Sequence, residues 1–173
     1  MPLACLRTFF FPAFLASLLI LSGAFYLEYG LGVVACPLCQ MQRFVLSAFS
    51  LVCLAALATR PGRGVERTFL WSSLFLALVG GLLAARHVWL QGLYPAVEMT
   101  CLKSMDYLVE QGTVGEWLHS LLIGTADCVP ITWSFFGLSV PEWSLLAFLG
   151  LAVAVGFRLA LAKRLNPHQA VRS

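Results

Sequence analysis

Four stretches of the chain carry no charged residue: Thr8–Leu27, Phe44–Thr59, Thr68–Ala85 and Trp143–Phe157. A helix that crosses a bilayer needs about 20 mostly apolar residues, within a range of about 17–25. The first and third stretches meet that length. The second and fourth are shorter, but Arg43 and Arg158 flank them, and a long arginine stem can reach from lipid to the interface. Four spans follow, at about residues 8–27, 44–59, 68–85 and 143–161. Polar residues inside them are mostly Ser and Thr, which hydrogen-bond within the helix. Gly80-Gly81 in the third span predicts close approach by a neighbouring helix. The first run has some features of a signal peptide, with Arg7 before it and the small residues Ser22-Gly23-Ala24 near its end. It continues through bulky Phe25, Tyr26 and Leu27, which favours a retained span.

Composition agrees. The 173 residues fit one domain, 1–173. Hydrophobic residues make up 60% and charged residues 11%, whereas soluble domains carry about 25% charged residues. Mean hydropathy is +0.87. Such a chain sits in the lipid bilayer or aggregates. A net charge of +3 without a dense Lys/Arg run gives no reason to expect nucleic acid as a partner.

Charge also orients the spans. With a cytoplasmic N-terminus, the inner segments hold Arg7, Arg60, Arg63, Arg67, Arg158, Lys163, Arg164 and Arg172, and the outer ones hold Arg43, Arg86 and Lys103. Eight basic residues inside against three outside is the asymmetry expected of cytoplasmic segments. The expected fold is therefore an all-α integral membrane bundle of four transmembrane helices with both termini cytoplasmic. Arg60-Pro61-Gly62-Arg63-Gly64 reads as a tight inner turn. Outer loops cover 28–43 and 88–142. In the longer one, Val114, Trp117, Leu118, Leu121 and Leu122 recur at helical spacing behind a Thr113–Glu116 capping box. This predicts a short interfacial helix, or one packed on the bundle.

Topology sorts the six cysteines. Cys36, Cys39, Cys101 and Cys128 fall in outer loops, whereas Cys5 is near the inner end and Cys53 lies within the second span, as a core filler. An oxidising outer compartment favours disulfides among the four. Cys36-Pro37-Leu38-Cys39 is a C-x-x-C just before a helix, where unsatisfied N–H groups favour thiolate. Pro37 suits the first helical position. Arg43, four residues beyond Cys39 on the same face, is placed to stabilise a thiolate or an acceptor oxygen; otherwise it is a snorkelling end residue. His87 is either a hydrogen-bond donor to an acceptor or an interface residue. Cys101 and Cys128 either close a structural loop or exchange with the first pair.

These residues resemble a known family. Cys36-Pro37-Leu38-Cys39 with Arg43, Arg86-His87-Val88-Trp89-Leu90-Gln91, Leu93-Tyr94-Pro95 leading to Thr100-Cys101, Asp127-Cys128 leading to Trp133, Phe136-Gly137-Leu138 and Pro141-Glu142-Trp143 together look like the disulfide bond formation protein DsbB family. The resemblance runs in order over nearly the whole chain. It implies a multi-pass protein of the bacterial inner membrane that reoxidises a DsbA-like periplasmic thioredoxin-fold partner and passes electrons to the membrane quinone pool. In that scheme the partner's thiolate attacks at Cys101, Cys128 engages Cys36, and Cys39 faces the quinone. Arg43, His87 and Trp133 are the implied contacts of a noncovalent ubiquinone or menaquinone, and no metal is implied. Some members carry an acid just before the matching arginine. Gln42 stands there in this chain, so the expectation is a more positive site.

Physical logic stands beside the resemblance: a strong thiol oxidant such as the implied partner is regenerated only by an acceptor of comparable or higher potential, and a quinone dissolves where the second span begins. Two alternatives share some of these features. A vitamin K epoxide reductase-like protein also combines four helices, C-x-x-C and a quinone, but usually carries its motif on the last span. A non-enzymatic membrane protein with a four-cysteine zinc site leaves the outer acids unexplained and sets Arg43 against a cation.

Overall fold

The computed structural model describes residues 2–33, 35–59, 63–92 and 133–164, together with Thr113, Gly115 and Cys128. Cys101, Arg60-Pro61-Gly62 of the expected inner turn and, apart from Gly115, the expected helix over 114–122 lie outside the described residues.

Helix α1 spans Pro2–Phe25 and continues as a wider π-helical turn, Tyr26–Gly30. Helices α2 (Pro37–Thr59) and α3 (Arg63–Gly92) follow. A two-stranded hairpin, β1 (Ser134–Phe135) and β2 (Leu138–Ser139), leads into α4 (Val140–Arg164). Four helical segments are long and apolar enough to cross a membrane: Phe9–Gly30, Pro37–Thr59, Gly64–Gly92 and Val140–Ala162. The four-helix membrane fold expected from the charge-free runs is the fold observed.

Each helix runs past its charge-free run, because charged residues near the ends stay helical and find partners. Arg158 of α4 meets Glu66 of α3 at 3.4 Å, and Arg43 of α2 pairs with Glu28 in the π-helical turn. Residues 37–43 and 88–92 are therefore helical rather than loop, and the hairpin and the first turn of α4 occupy 134–142.

Packing follows chain order, α1 on α2, α2 on α3 and α3 on α4. The core contains Phe10, Phe49, Leu70 and Val155. Cys53 is fully buried among these side chains, as a filler would be. Leu19, Phe44, Leu82 and Val153 point outward. An apolar exterior of this kind is matched to lipid. A Cβ on Gly80 would fall inside the Phe148 ring, so the expected close approach occurs between α3 and α4.

The hairpin turn puts Phe136 and Gly137 at φ 52° and 78°. Two positive φ values match the twist of a tight two-residue turn. Behind it, Glu142 accepts hydrogen bonds from the Ser139 backbone N–H at 2.6 Å and its hydroxyl at 2.9 Å. This satisfies an otherwise unused donor at the start of α4, as a capping box does. The Trp143 indole N–H donates to the Phe135 carbonyl at 3.1 Å and ties hairpin to helix.

Candidate functional site

The local chain fixes the first cysteine. The Gln40 N–H donates to the Cys36 carbonyl at 3.1 Å, so Cys36 is the N-cap of α2. Pro37 takes the first helical position, where a missing N–H costs nothing. Cys39 then lies one turn in, on the same side as Cys36. His87, near the end of α3, inserts between the two sulfurs. Its Nε2 is 3.6 Å from Cys36 Sγ and its Nδ1 is 3.8 Å from Cys39 Sγ. Gln42 Nε2 stands 3.5 Å from Nδ1. Cys128 completes the group: its sulfur, Cys36 Sγ and a His87 ring nitrogen all lie within 4.8 Å of one another. Hydrogen bonding with Cys128, then with Cys39, and burial push the Cys36 thiol well above its ordinary range. Cys36 thus favours the protonated form while it is a thiol among thiols, the reverse of the thiolate expected from the helix start, because neighbouring sulfurs and burial outweigh the helix N–H groups.

Arg43 is held from three sides. It pairs with Glu28, donates from Nη2 to the Ala24 carbonyl at 2.8 Å, and lies 5.1 Å from the centre of the Phe25 ring. The π-helical turn carries Glu28, and Gly32, at φ 69°, ends it; its N–H donates to the Glu28 carbonyl at 3.1 Å. Only a residue without Cβ adopts that backbone readily. Gln42 therefore does not leave the arginine unopposed. The carboxylate comes from the other side of the cleft, and the expected excess of positive charge is cancelled at Arg43.

Cys36, Cys39, Gln42, Arg43 and His87 line a partly open cleft between the end of α1, the start of α2, the end of α3 and the start of α4. Its walls are mainly apolar, with Ile20, Leu21, Leu46, Val140 and Phe148 among them. Its polar groups are Cys36, Cys39, Gln42, Arg43, His87, Gln91 and Ser144, and Trp133 also borders it, stacked on Phe135 at 5.8 Å between ring centres. Gln91 Oε1 is buried without a hydrogen-bond partner among the described residues. An apolar slot with a few convergent polar groups suits a flat, lipid-soluble molecule with oxygen atoms at its edge.

Of the residues singled out from sequence, Cys36, Cys39, Arg43, His87, Cys128 and Trp133 converge here, and Cys101 lies outside the described residues. Sequence reasoning missed Glu28 and Gln91 as contributors and read Gln42 only as a missing acid. For Gln91 a signal existed: it lies four residues after His87, hence on the same helical face. For Glu28 none did, because its pairing depends on the π-helical turn.

Residues 6–157 match the family model described as Disulfide bond formation protein DsbB. The chain is similar to Disulfide bond formation protein B 2 of Pseudomonas entomophila (strain L48), 49% identical over 152 residues, covering 88% of this chain and 89% of that protein. It is 45% identical over 149 residues to Disulfide bond formation protein B 1 of Pseudomonas aeruginosa, covering 86% and 91%. Disulfide bond formation protein B of Methylococcus capsulatus is 37% identical over 151 residues, with 87% and 92% covered.

Proposed function

The chain belongs to the DsbB family of disulfide bond formation proteins, which implies disulfide oxidoreductase activity in a multi-pass membrane protein, and from that premise we propose that it reoxidises a DsbA-like partner and delivers the electrons to a membrane quinone. The cleft end of the bundle then faces the periplasm, and the membrane is the bacterial inner membrane.

The reaction begins with a disulfide joining Cys101 to Cys128 and another joining Cys36 to Cys39. A thiolate of the partner attacks Cys101 and breaks the first disulfide, and Cys128 leaves as a thiolate. Cys128 attacks Cys36, which breaks the second disulfide and releases Cys39 as a thiolate. The partner's second thiol then displaces Cys101 and leaves with its own disulfide formed. Cys101 then attacks Cys128, re-forms the Cys101–Cys128 disulfide and releases Cys36 as a thiolate, so that two electrons have moved from the partner to the Cys36–Cys39 dithiol and the partner's two thiol protons are released on the way. A quinone, when bound, supplies a two-electron, two-proton acceptor next to Cys39.

The chain's own groups make this transfer local. Cys128 is close enough to Cys36 for sulfur attack after a small shift. His87 Nδ1 lies beside Cys39, where the ring can take or return a proton as the sulfur changes charge. Arg43 offers charge-assisted donors at the cleft wall, and Glu28 and Ala24 fix their direction. Apolar walls exclude water, which strengthens these interactions. The residues present suit a quinone and its reduced form: apolar walls, a cationic donor, an imidazole and Gln91, whose Oε1 has no hydrogen-bond partner among the described residues.

The observation that carries this reading is the placement of a C-x-x-C at the start of a membrane helix, with a third buried cysteine and a histidine against it, at the mouth of an apolar cleft. The motif opens α2 rather than the last span, so no feature favours the vitamin K epoxide reductase-like alternative. The deciding assay uses the full chain in quinone-loaded nanodiscs with a reduced thioredoxin-fold partner. Partner oxidation and quinone reduction proceed together one to one, and Cys39→Ala and Cys101→Ala abolish both. Unchanged rates in either variant refute the scheme.

A further inference from the structure

Three metal-type donors meet at the cleft end of the bundle. The sulfurs of Cys36 and Cys128 and a ring nitrogen of His87 all lie within 4.8 Å of one another. They come from separate parts of the chain, the N-cap of α2, the end of α3 and residue 128. All three residues are buried, at 7%, 1% and 3% exposure. We propose that in the fully reduced protein these groups form a three-donor Zn²⁺ site, a binding property distinct from electron transfer.

The spacing fits the ion. Zinc holds thiolate sulfur at about 2.3 Å and imidazole nitrogen at about 2.0–2.1 Å, and tetrahedral angles then set S and N about 3.5 Å apart. Cys36 Sγ and His87 Nε2 are 3.6 Å apart. Histidine ligands are normally oriented through their other ring nitrogen. Here Nδ1 faces Cys39 Sγ and the Gln42 amide. With the ion on Nε2, the ring carries its proton on Nδ1 and donates it to Cys39 or, once the amide turns over, to Gln42 Oε1.

Charge favours the same assembly. Two thiolates and a neutral imidazole around Zn²⁺ sum to zero, which removes the cost of a buried net charge. Binding releases the two thiol protons to solvent. Arg43, the cationic side chain lining the cleft, already has Glu28 as its counter-ion, so its opposition to a nearby cation is reduced. The fourth tetrahedral position is left for water. A disulfide through Cys36 or Cys128 removes a donor sulfur, so the site exists only in the reduced chain. While the ion is bound, neither sulfur is available to form a disulfide.

The test measures binding, not turnover, so it stands whether or not the proposed electron transfer does. The full chain in nanodiscs, stripped of quinone and reduced with a phosphine, is titrated with Co²⁺ and then with Zn²⁺. The expected result is one Co²⁺ per chain, with thiolate charge-transfer absorption and tetrahedral d–d bands, displaced by one equivalent of Zn²⁺. His87→Gln and Cys128→Ser each remove the tetrahedral spectrum, and Cys53→Ser leaves it intact. Gln42→Leu weakens Zn²⁺ binding by about 10–100-fold, as loss of an orienting partner does. Helical circular dichroism of both ligand variants guards against misfolding of either one. The proposal is overturned by the absence of stoichiometric binding or by binding that survives both ligand replacements. Equal binding by the oxidised chain, or a spectrum that needs Cys39 but not Cys128, overturns it as well.

Discussion

Among the described residues, two arginine–glutamate pairs bridge neighbouring helical segments at opposite ends of this bundle, and only one belongs to a candidate site. Arg158 and Glu66 join α4 to α3, with side-chain exposures of 14% each; Arg43 and Glu28 join α2 to the extension of α1, at 13% and 22%. Burial is nearly the same. Along α3, Glu66 and His87 are 21 residues apart, or about 30 Å, roughly the thickness of a bilayer core. What differs is convergence. The Arg43 guanidinium also meets a carbonyl and an aromatic face and borders a cleft with two cysteines, a histidine and two glutamines. A buried ion pair is therefore weak grounds for function; an ion pair aimed into a shaped cavity beside nucleophiles is strong grounds.

The comparison breaks most sharply at the cysteines. Cys39→Ala is expected to cut coupled partner oxidation by about 10³-fold or more, as loss of a nucleophile does. Cys53→Ala, buried midway along the same helix, should leave the rate within about twofold and lower only thermal stability. Stopped-flow quinone absorbance with the reduced partner reads both. Equal losses would mean that packing of α2, not thiol chemistry, sets the rate.

The arginines come next. Arg43→Ala should slow turnover by about 100-fold, the scale of losing one oriented donor at a developing charge. Glu28→Gln leaves Arg43 in place but unpinned, and a loss of about 10-fold with a raised KM for quinone is expected. Arg158→Ala should keep turnover within about twofold. It leaves Glu66 without its partner and costs about 1–3 kcal/mol of stability. A rate loss in Arg158→Ala as large as in Arg43→Ala erases the distinction between the two ends.

These contrasts also mark what the sequence could say. The four helices were legible because charge-free runs of span length have few other stable solutions, and Pro37 marked the start of α2. Helical spacing sets Cys36, Cys39 and Arg43 on one face of α2, whereas His87 stays open between an acceptor contact and an interface residue, and only the resemblance points to it. The charge-free runs gave the apolar stretches rather than the full helices, since Arg43, Glu66 and Arg158 read as boundary charges until their partners are known. Glu28 could not be assigned to Arg43 because the pairing needs a π-helical turn, which no hydropathy pattern specifies. The hairpin at Phe136-Gly137 escaped for a similar reason: its strands are two residues each, too short to show alternation.

A third contrast lies in adjacent glycines. A Cβ on Gly80 would overlap the Phe148 ring, whereas one on Gly81 meets Phe148 Cβ at an ordinary 3.8 Å. Phe148 also forms part of the cleft wall. Gly80→Ala should cost about 1–3 kcal/mol by overpacking and disturb quinone access. Gly81→Ala should be tolerated. Thermal midpoints in detergent, read with the KM for quinone, separate the two; equal midpoints would mean that α3 and α4 pack differently.

The smallest effect concerns Cys36 itself in the reduced chain. Hydrogen bonding with Cys128 and Cys39, together with burial, holds its proton beyond the ordinary thiol value of 9.0. The neutral form is thus favoured in the folded state relative to the unfolded one. That contribution to stability is fully present below pH 9.0 and is lost as pH rises above it, because the unfolded chain sheds the proton first. The slope is about 1.4 kcal/mol per pH unit for one thiol. Reduced protein should therefore lose stability above pH 9.0 more steeply than the Cys36→Ser variant, which has no such proton to keep. Iodoacetamide labelling gives the kinetic counterpart, since only thiolate reacts: Cys36 should label slowly near neutral pH and faster at alkaline pH. Parallel stability curves for the two proteins, together with rapid labelling at pH 7, would show that Cys36 is a thiolate already, and the reduced cluster would then have to carry a buried negative charge.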